Sequence, residues 1–107
     1  MTEFTNETVS IEVAADGTIV VAGDIDMAGG PLLEASLLQR TDDQPVVIDL
    51  AGVSFIDSSG LRSLLDGARR AQARGTEVVL RAVGPEVSRL LELTGAGSQF
   101  RIAPHHD

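Results

Sequence analysis

The 107-residue chain has no cysteine, no tryptophan and no tyrosine, and only three phenylalanines. Without cysteine it has no disulfides, thiolate nucleophiles or thiolate metal sites, and the redox compartment stays open. Aromatic residues make up 3% of the chain and hydrophobic residues 43%, so its core must be built from Val, Leu, Ile and Ala. Basic residues are scarce too: eight against sixteen acidic ones, a formal net charge of −8. That balance argues against binding nucleic acid or an anionic membrane, since both need a basic surface. No apolar run is long enough to span a bilayer. Residues 1–7 lack a basic stretch followed by an apolar one, so no signal peptide is expected. The expectation is a cytoplasmic protein with a single domain over residues 1–107.

What the chain does contain is an alternation of strand and helix patterns. Residues 1–7 are polar and predicted to be loose. Thr8 to Ala14 alternates, with Val9, Ile11 and Val13 on one face of a half-buried strand. Asp16-Gly17 signals a hairpin turn, and Thr18 to Ala22 reads as the return strand. Gly23-Asp24-Ile25-Asp26 is predicted to leave that strand. Pro31 suits the first turn of a helix that runs to about Arg40, with Leu32, Leu33, Leu37 and Leu38 as its apolar stripe. Val46 to Leu50 is apolar except for Asp49, which predicts a strand covered on both faces. Leu61, Leu64, Leu65, Ala68 and Ala71 or Gln72 repeat at helical spacing, and Gly75 is placed to end that helix. Glu77 to Arg81 reads as a strand, Pro85 to Thr94 as a helix with Val87, Leu90 and Leu91 inward, and Gln99 to Ile102 as a short edge strand. The fold class is therefore α/β: a mixed, mostly parallel sheet of four or five strands, opened by an antiparallel hairpin and packed with helices. The core is expected over about residues 8–102, with 103–107 as a second flexible end.

The most informative stretch is Phe55-Ile56-Asp57-Ser58-Ser59-Gly60-Leu61, between a strand and a strongly periodic helix. Asp57 is a good N-cap, able to accept a hydrogen bond from the N–H of Ser59 or Gly60. Ile56 and Leu61 then occupy the two positions of a hydrophobic staple. Ser58 and Ser59 fall in the first turn, where unpaired N–H groups and the helix dipole welcome a phosphate. Gly60 costs roughly 1 kcal/mol of helix propensity against alanine, and it leaves the backbone open to an approaching partner. The same residues also make an ordinary capped, solvated helix start, and spacing alone does not separate the two readings.

Signals for an enzyme are weak. His105 and His106 are adjacent, so they share no helix face and make a poor metal pair. Ser58 has no internal histidine as a base and lacks the preceding glycine of a nucleophile elbow. No glycine-rich nucleotide loop is present, so no cofactor and no catalytic residue is assigned. Asp24, Asp26, Asp49 and Asp57 all fall near predicted strand ends, which leaves a metal site among them as one reading and capping and solvation as the plainer one.

Gly23-Asp24-Ile25-Asp26, the strand ending Ile48-Asp49-Leu50, Val53 to Leu61 and Gly84-Pro85-Glu86-Val87 come in an order and at a spacing that resemble the STAS domains of bacterial anti-sigma factor antagonists, over roughly residues 8–102. The resemblance implies a partner-switching binding module and not an enzyme. Its unmodified form would bind an anti-sigma factor that is itself a serine kinase, freeing the sigma factor for transcription. That kinase would phosphorylate the serine after the motif aspartate, here Ser58, and a PP2C-type phosphatase would remove the phosphate. In this scheme Asp57 orients the turn, Ser59 and Gly60 shape the acceptor loop, and Asp26 flanks the docking surface. The chain departs from the family pattern in three places. Asp24 replaces a commoner glutamate, Ala28-Gly29-Gly30-Pro31 replaces a more regular helix start and predicts a looser loop, and the final helix of many relatives is missing. Two other roles fit the same residues: a STAS scaffold subunit of a stress-signalling or lipid-transport complex, and a module binding a small molecule at the carboxyl ends of the strands.

Overall fold

Asp16 and Gly17 turn the chain as their pairing predicts. In the computed structural model, which describes residues 2–103, Asp16 Oδ1 accepts from the N–H of Thr18 at 2.9 Å, and Gly17 takes a φ of 89°. The turn joins β2 (Val9–Val13) to β3 (Ile19–Ile25) in an antiparallel pair. Preceding them, Thr2–Thr5 forms β1, antiparallel to β2. This corrects the expectation of a loose start: one apolar residue among polar ones gives no period to read, but the backbone pairs with β2 and Phe4 packs against the core. The chain then continues through α1 (Gly30–Leu38), β4 (Val46–Ile56), α2 (Ser58–Ala73), β5 (Val78–Arg81), α3 (Pro85–Thr94), a 3₁₀ turn at Ala96–Gln99 and β6 (Arg101–Ile102). Of the second end expected to be flexible, Ala103 is described, its N–H donating to the Leu80 carbonyl at 2.9 Å, and residues 104–107, with His105 and His106, lie outside the described residues.

The described strands form one sheet in sequence order, β1 to β6, six strands instead of four or five. The last three pairings, β3 with β4, β4 with β5 and β5 with β6, are parallel. Parallel strands joined in sheet order by right-handed crossovers collect their helices on one face. The burial matches that geometry. Val9, Ile11, Ile19, Val21, Val46, Ile48, Leu50, Val78 and Leu80 are buried, and they pack with Leu33, Leu37, Leu61, Leu64, Ala68, Val87 and Leu91 of the helices. On the other face Val20 and Arg81 are exposed, and Val47, Asp49 and Val79 are half-buried. The prediction that Val46–Leu50 is covered on both faces is thus corrected. A continuous apolar run fits a one-sided strand too when small Val side chains take the open face.

Two strands run further than the sequence suggested. β3 continues through Gly23, Asp24 and Ile25, and β4 continues to Ile56, with Asp24 beside Phe55 and Ile25 beside Ile56. Both extensions lack a clean period, because the β3–β4 register shifts between Val20 and Ala22 and again between Gly23 and Asp24. Gly23 permits the irregularity with a φ of 97°. In α1 the stripe is narrower than predicted: Leu33 and Leu37 are buried, whereas Leu38 is 56% exposed in the last turn. In α2 the stripe is as predicted, and Ala71 takes the inward place while Gln72 stays outside. Gly75, with a φ of 79°, follows the last turn as anticipated.

Candidate functional site

The carboxyl ends of β3 and β4 deliver the site. Because Ile25 and Ile56 are register partners, the next residues, Asp26 and Asp57, emerge side by side at the same edge of the sheet. The Asp57 N–H donates to the Ile25 carbonyl at 3.3 Å, a last rung beyond the strand pair. Asp57 itself is extended (φ −116°, ψ −172°), and its Oδ1 accepts from the Gly60 N–H at 3.0 Å. It is therefore the N-cap that the sequence predicted, through the Gly60 option. The first helical bond closes from the Leu61 N–H to the Asp57 carbonyl at 2.9 Å. Ile56 and Leu61, the predicted staple positions, are both buried in the core.

Ser58 is exposed at the first helical position, Ser59 is half-buried at the second, and Gly60 is buried at the third. Early N–H groups in a first turn point along the helix axis toward its start, and the dipole makes that end positive. Ser58 is thus a solvent-facing hydroxyl on electropositive backbone, with no histidine among the described residues to act as its base. The carbonyl of Ser59 accepts from the Ser63 hydroxyl at 3.3 Å, one turn on.

Gly60 corrects its sequence reading. A Cβ there would lie 2.8 Å from both the carbonyl carbon and Cγ2 of Ile25, and closer still to the carbonyl oxygen. The glycine lets the helix start press against the end of β3, and being buried it offers no surface to a partner. Gly30 plays the matching role at the start of α1, where a Cβ would meet the Ser63 hydroxyl at 2.7 Å. The glycine-rich start of α1 therefore marks close helix packing.

Asp26 is half-buried, and its Oδ1 is already in use. It accepts from the N–H groups of Ala28 at 3.0 Å and Gly29 at 2.8 Å, and the Gly30 N–H donates to the Asp26 carbonyl at 2.7 Å. The loop expected to be looser is in fact tied at both ends of one residue. The Asp24 N–H also donates to the Thr8 carbonyl, and Asn6 Nδ2 to the Ala28 carbonyl, so the start of the chain braces the loop from outside.

Three of the four carboxylates considered for a metal are occupied in other ways. Asp57 caps α2, and Asp26 ties its loop. Asp49 lies within β4, not at its end, and binds Arg81 across the open face through Nε (3.1 Å) and Nη2 (2.8 Å). Partial burial raises the Asp49 carboxyl's pKa, but the Ala51 N–H and the Arg81 guanidinium outweigh it and hold the group below its ordinary range. Among the described residues no cluster of three potential ligands forms.

Two features of this edge were not singled out in the sequence. Phe55, three residues before Ser58, is 47% exposed, and Met27, directly after Asp26, is 79% exposed, so each of the two strand ends carries a large exposed apolar side chain. Nearby, Ile56 joins Glu86, Arg89, Leu90 and Leu93 of α3 around a shallow hollow of about 230 Å³. Phe55 lies within β4 beside Asp24, and it is exposed where the next residue, Ile56, is buried. No described helix is long and apolar enough to cross a membrane.

Residues 11–102 match the family model described as "Mlab, STAS domain". The chain is 33% identical over 100 residues to the anti-sigma-B factor antagonist of Listeria monocytogenes, covering 88% of each protein. It is 29% identical over 96 residues to the anti-sigma F factor antagonist of Paenibacillus polymyxa, covering 85% of this chain and 80% of that one. Among solved structures, an anti-sigma factor antagonist from Mycobacterium paratuberculosis superposes with a TM-score of 0.75 at 31% identity, over 94% of this chain and 89% of that one. The family match and these relatives extend over almost the whole domain, and the chain belongs to the STAS-domain family of anti-sigma factor antagonists.

Proposed function

We propose that this protein works as a phosphorylation-controlled binding module. Its unmodified form binds an anti-sigma factor that is also a serine kinase and so releases a sigma factor. Phosphorylation of Ser58 ends that binding, and a PP2C-type phosphatase restores it. The observation that carries the reading is the placement of Ser58: exposed, first in α2, directly after a capping Asp57, at a sheet edge whose strand ends carry exposed Phe55 and Met27. An apolar rim gives a partner area to bury, and a hydroxyl at its centre gives a kinase something to modify. Phosphate adds a charge of about −1.5 to −2, which a helix start tolerates locally and a docked interface does not.

Wild type and Ser58→Asp, each used as bait in native lysate and read by mass spectrometry, test the binding half. An anti-sigma factor retained by wild type and lost by the variant is the expected result. Incubating the captured kinase with ATP and fragmenting the peptides tests the rest, and phosphate confined to another residue would refute it. The description of the matching model, "Mlab, STAS domain", names no anti-sigma factor, and one alternative is a STAS subunit serving another complex such as a lipid transporter. In that case Ser58 would remain unmodified in cells and the bait would bring down that complex.

A further inference from the structure

We propose that Arg62 holds the phosphate of phosphorylated Ser58, so that the modification draws a free cation off the docking surface as well as adding an anion. The inference rests on the reading of Ser58 as the phosphoacceptor. Ser58 and Arg62 stand at i and i+4 in one unbroken helix, Ser58–Ala73, and both are exposed. Residues at that spacing are neighbours on the helix surface. Helical side chains lean toward the N-terminus, so Arg62 lies over the turn that carries Ser58. An acid placed N-terminal to its base at i, i+4 is also the favourable order.

The surroundings leave Arg62 available. Arg40, Arg69, Arg81 and Arg101 each have a carboxylate partner, whereas Arg62 has none within 4 Å among the described residues. Its other i+4 neighbour, Asp66, is bound by Arg69. The acids nearest Ser58 are engaged with backbone: Asp57 with the Gly60 N–H, and Asp26 with those of Ala28 and Gly29. The Asp66 carboxylate feels the charge of Arg62 as well as Arg69 but makes its ion pair with Arg69, so Arg62 is a cation in the early turns of α2 with no ion-pair partner of its own until Ser58 carries a phosphate. A guanidinium meets phosphate through two parallel N–H donors, which fixes the phosphate against the helix. The phosphorylated surface then lacks both the Ser58 hydroxyl and the loose Arg62 side chain, two features open to a partner in the unmodified protein. Arg89 on α3, which lines the neighbouring hollow, is the competing cation.

Phosphoserine placed at residue 58 during translation tests the pairing without any kinase. A ³¹P NMR titration follows the second phosphate ionisation, near pH 6. At low salt, Arg62→Gln is expected to raise that midpoint by about 0.15–0.4 pH unit, the size of an exposed i, i+4 charge pair. Arg62→Lys recovers part of the shift, Arg89→Gln leaves it unchanged, and roughly 1 M salt narrows the difference. An unchanged midpoint in Arg62→Gln, or a shift produced by Arg89→Gln in its place, overturns the proposal. Failure of any kinase to modify Ser58 would count against the proposed function alone, since the phosphate here is installed independently.

Discussion

Gly60 and Ile25 are in main-chain contact where α2 begins: a methyl group on Gly60 would stand 2.8 Å from the Ile25 carbonyl carbon. This contact joins the helix that carries Ser58 to the strand that carries Asp26. It explains why a poor helix former occupies the third position of an otherwise well-capped helix.

Gly60→Ala is therefore expected to destabilise the domain. Alanine gains roughly 1 kcal/mol of helix propensity, but forcing atoms into a packed backbone contact costs about 1–3 kcal/mol or more. Gly67→Ala provides the contrast, because its new methyl would meet only the flexible end of Leu37. Urea melts of the two variants should differ clearly, Gly60→Ala falling and Gly67→Ala staying near wild type. Equal stabilities would mean that the helix start shifts freely off β3.

Asp57→Ala removes the acceptor of the Gly60 N–H. Loss of such a cap costs about 0.5–2 kcal/mol. The same change should slow phosphorylation of Ser58, since the acceptor turn loses its orientation. Denaturant melts and a kinase assay read the two effects separately, and a melt identical to wild type would show that the cap contributes nothing.

Asp26→Ala should loosen the loop before α1, because one oxygen serves the N–H groups of both Ala28 and Gly29. Amide exchange at those two positions should rise well before global unfolding. Protection equal to wild type would place the loop's order in the Asn6 contact instead.

Asp49 and Arg81 make stability depend on acid. The folded Asp49 carboxyl titrates below its ordinary value, so its contribution is complete above the unfolded pKa, about 3.9, and is lost as the pH falls through the folded value. Arg81 is half exposed, so screening keeps the pair to about 0.2–1 kcal/mol. Arg81→Gln should lose that amount at pH 7 and less below pH 3. A loss of equal size at both pH values would assign Arg81 a packing role only.

Phosphorylation of Ser58 should block the partner without remodelling the domain. The new charge sits at the favourable end of a helix dipole, which gives the backbone no reason to move. Burying a dianion in a docked interface costs several kcal/mol, roughly a hundredfold or more in affinity. Ser58→Asp should reproduce part of that loss, and Ser58→Ala should bind while resisting the kinase. Amide shifts confined to residues near 24–30 and 54–64 are expected on phosphorylation, and shifts spread over the distant helices would point to a conformational switch.

The local chemistry of the site was legible because it is short-range. Asp57 as a cap, Ser58 and Ser59 in the first turn, the Asp16-Gly17 hairpin and the inward stripe of α2 all follow from interactions spanning four residues or fewer. The family resemblance was equally readable, since its most specific segment, Phe55 to Leu61, is one continuous stretch.

Tertiary structure decided what depends on residues far apart in the chain. Thr2–Thr5 became a strand only because β2 offered a free edge, which no pattern within residues 1–7 encodes. Sequential parallel strands left one sheet face open, turning Asp49 from a possible metal ligand into the partner of Arg81, 32 residues away. Gly60 changed from a partner-facing gap to a packing necessity once Ile25 was found against it. Propensity and periodicity report a residue's neighbours along the chain, whereas steric contact and charge pairing across a sheet arise only when the register brings distant segments together.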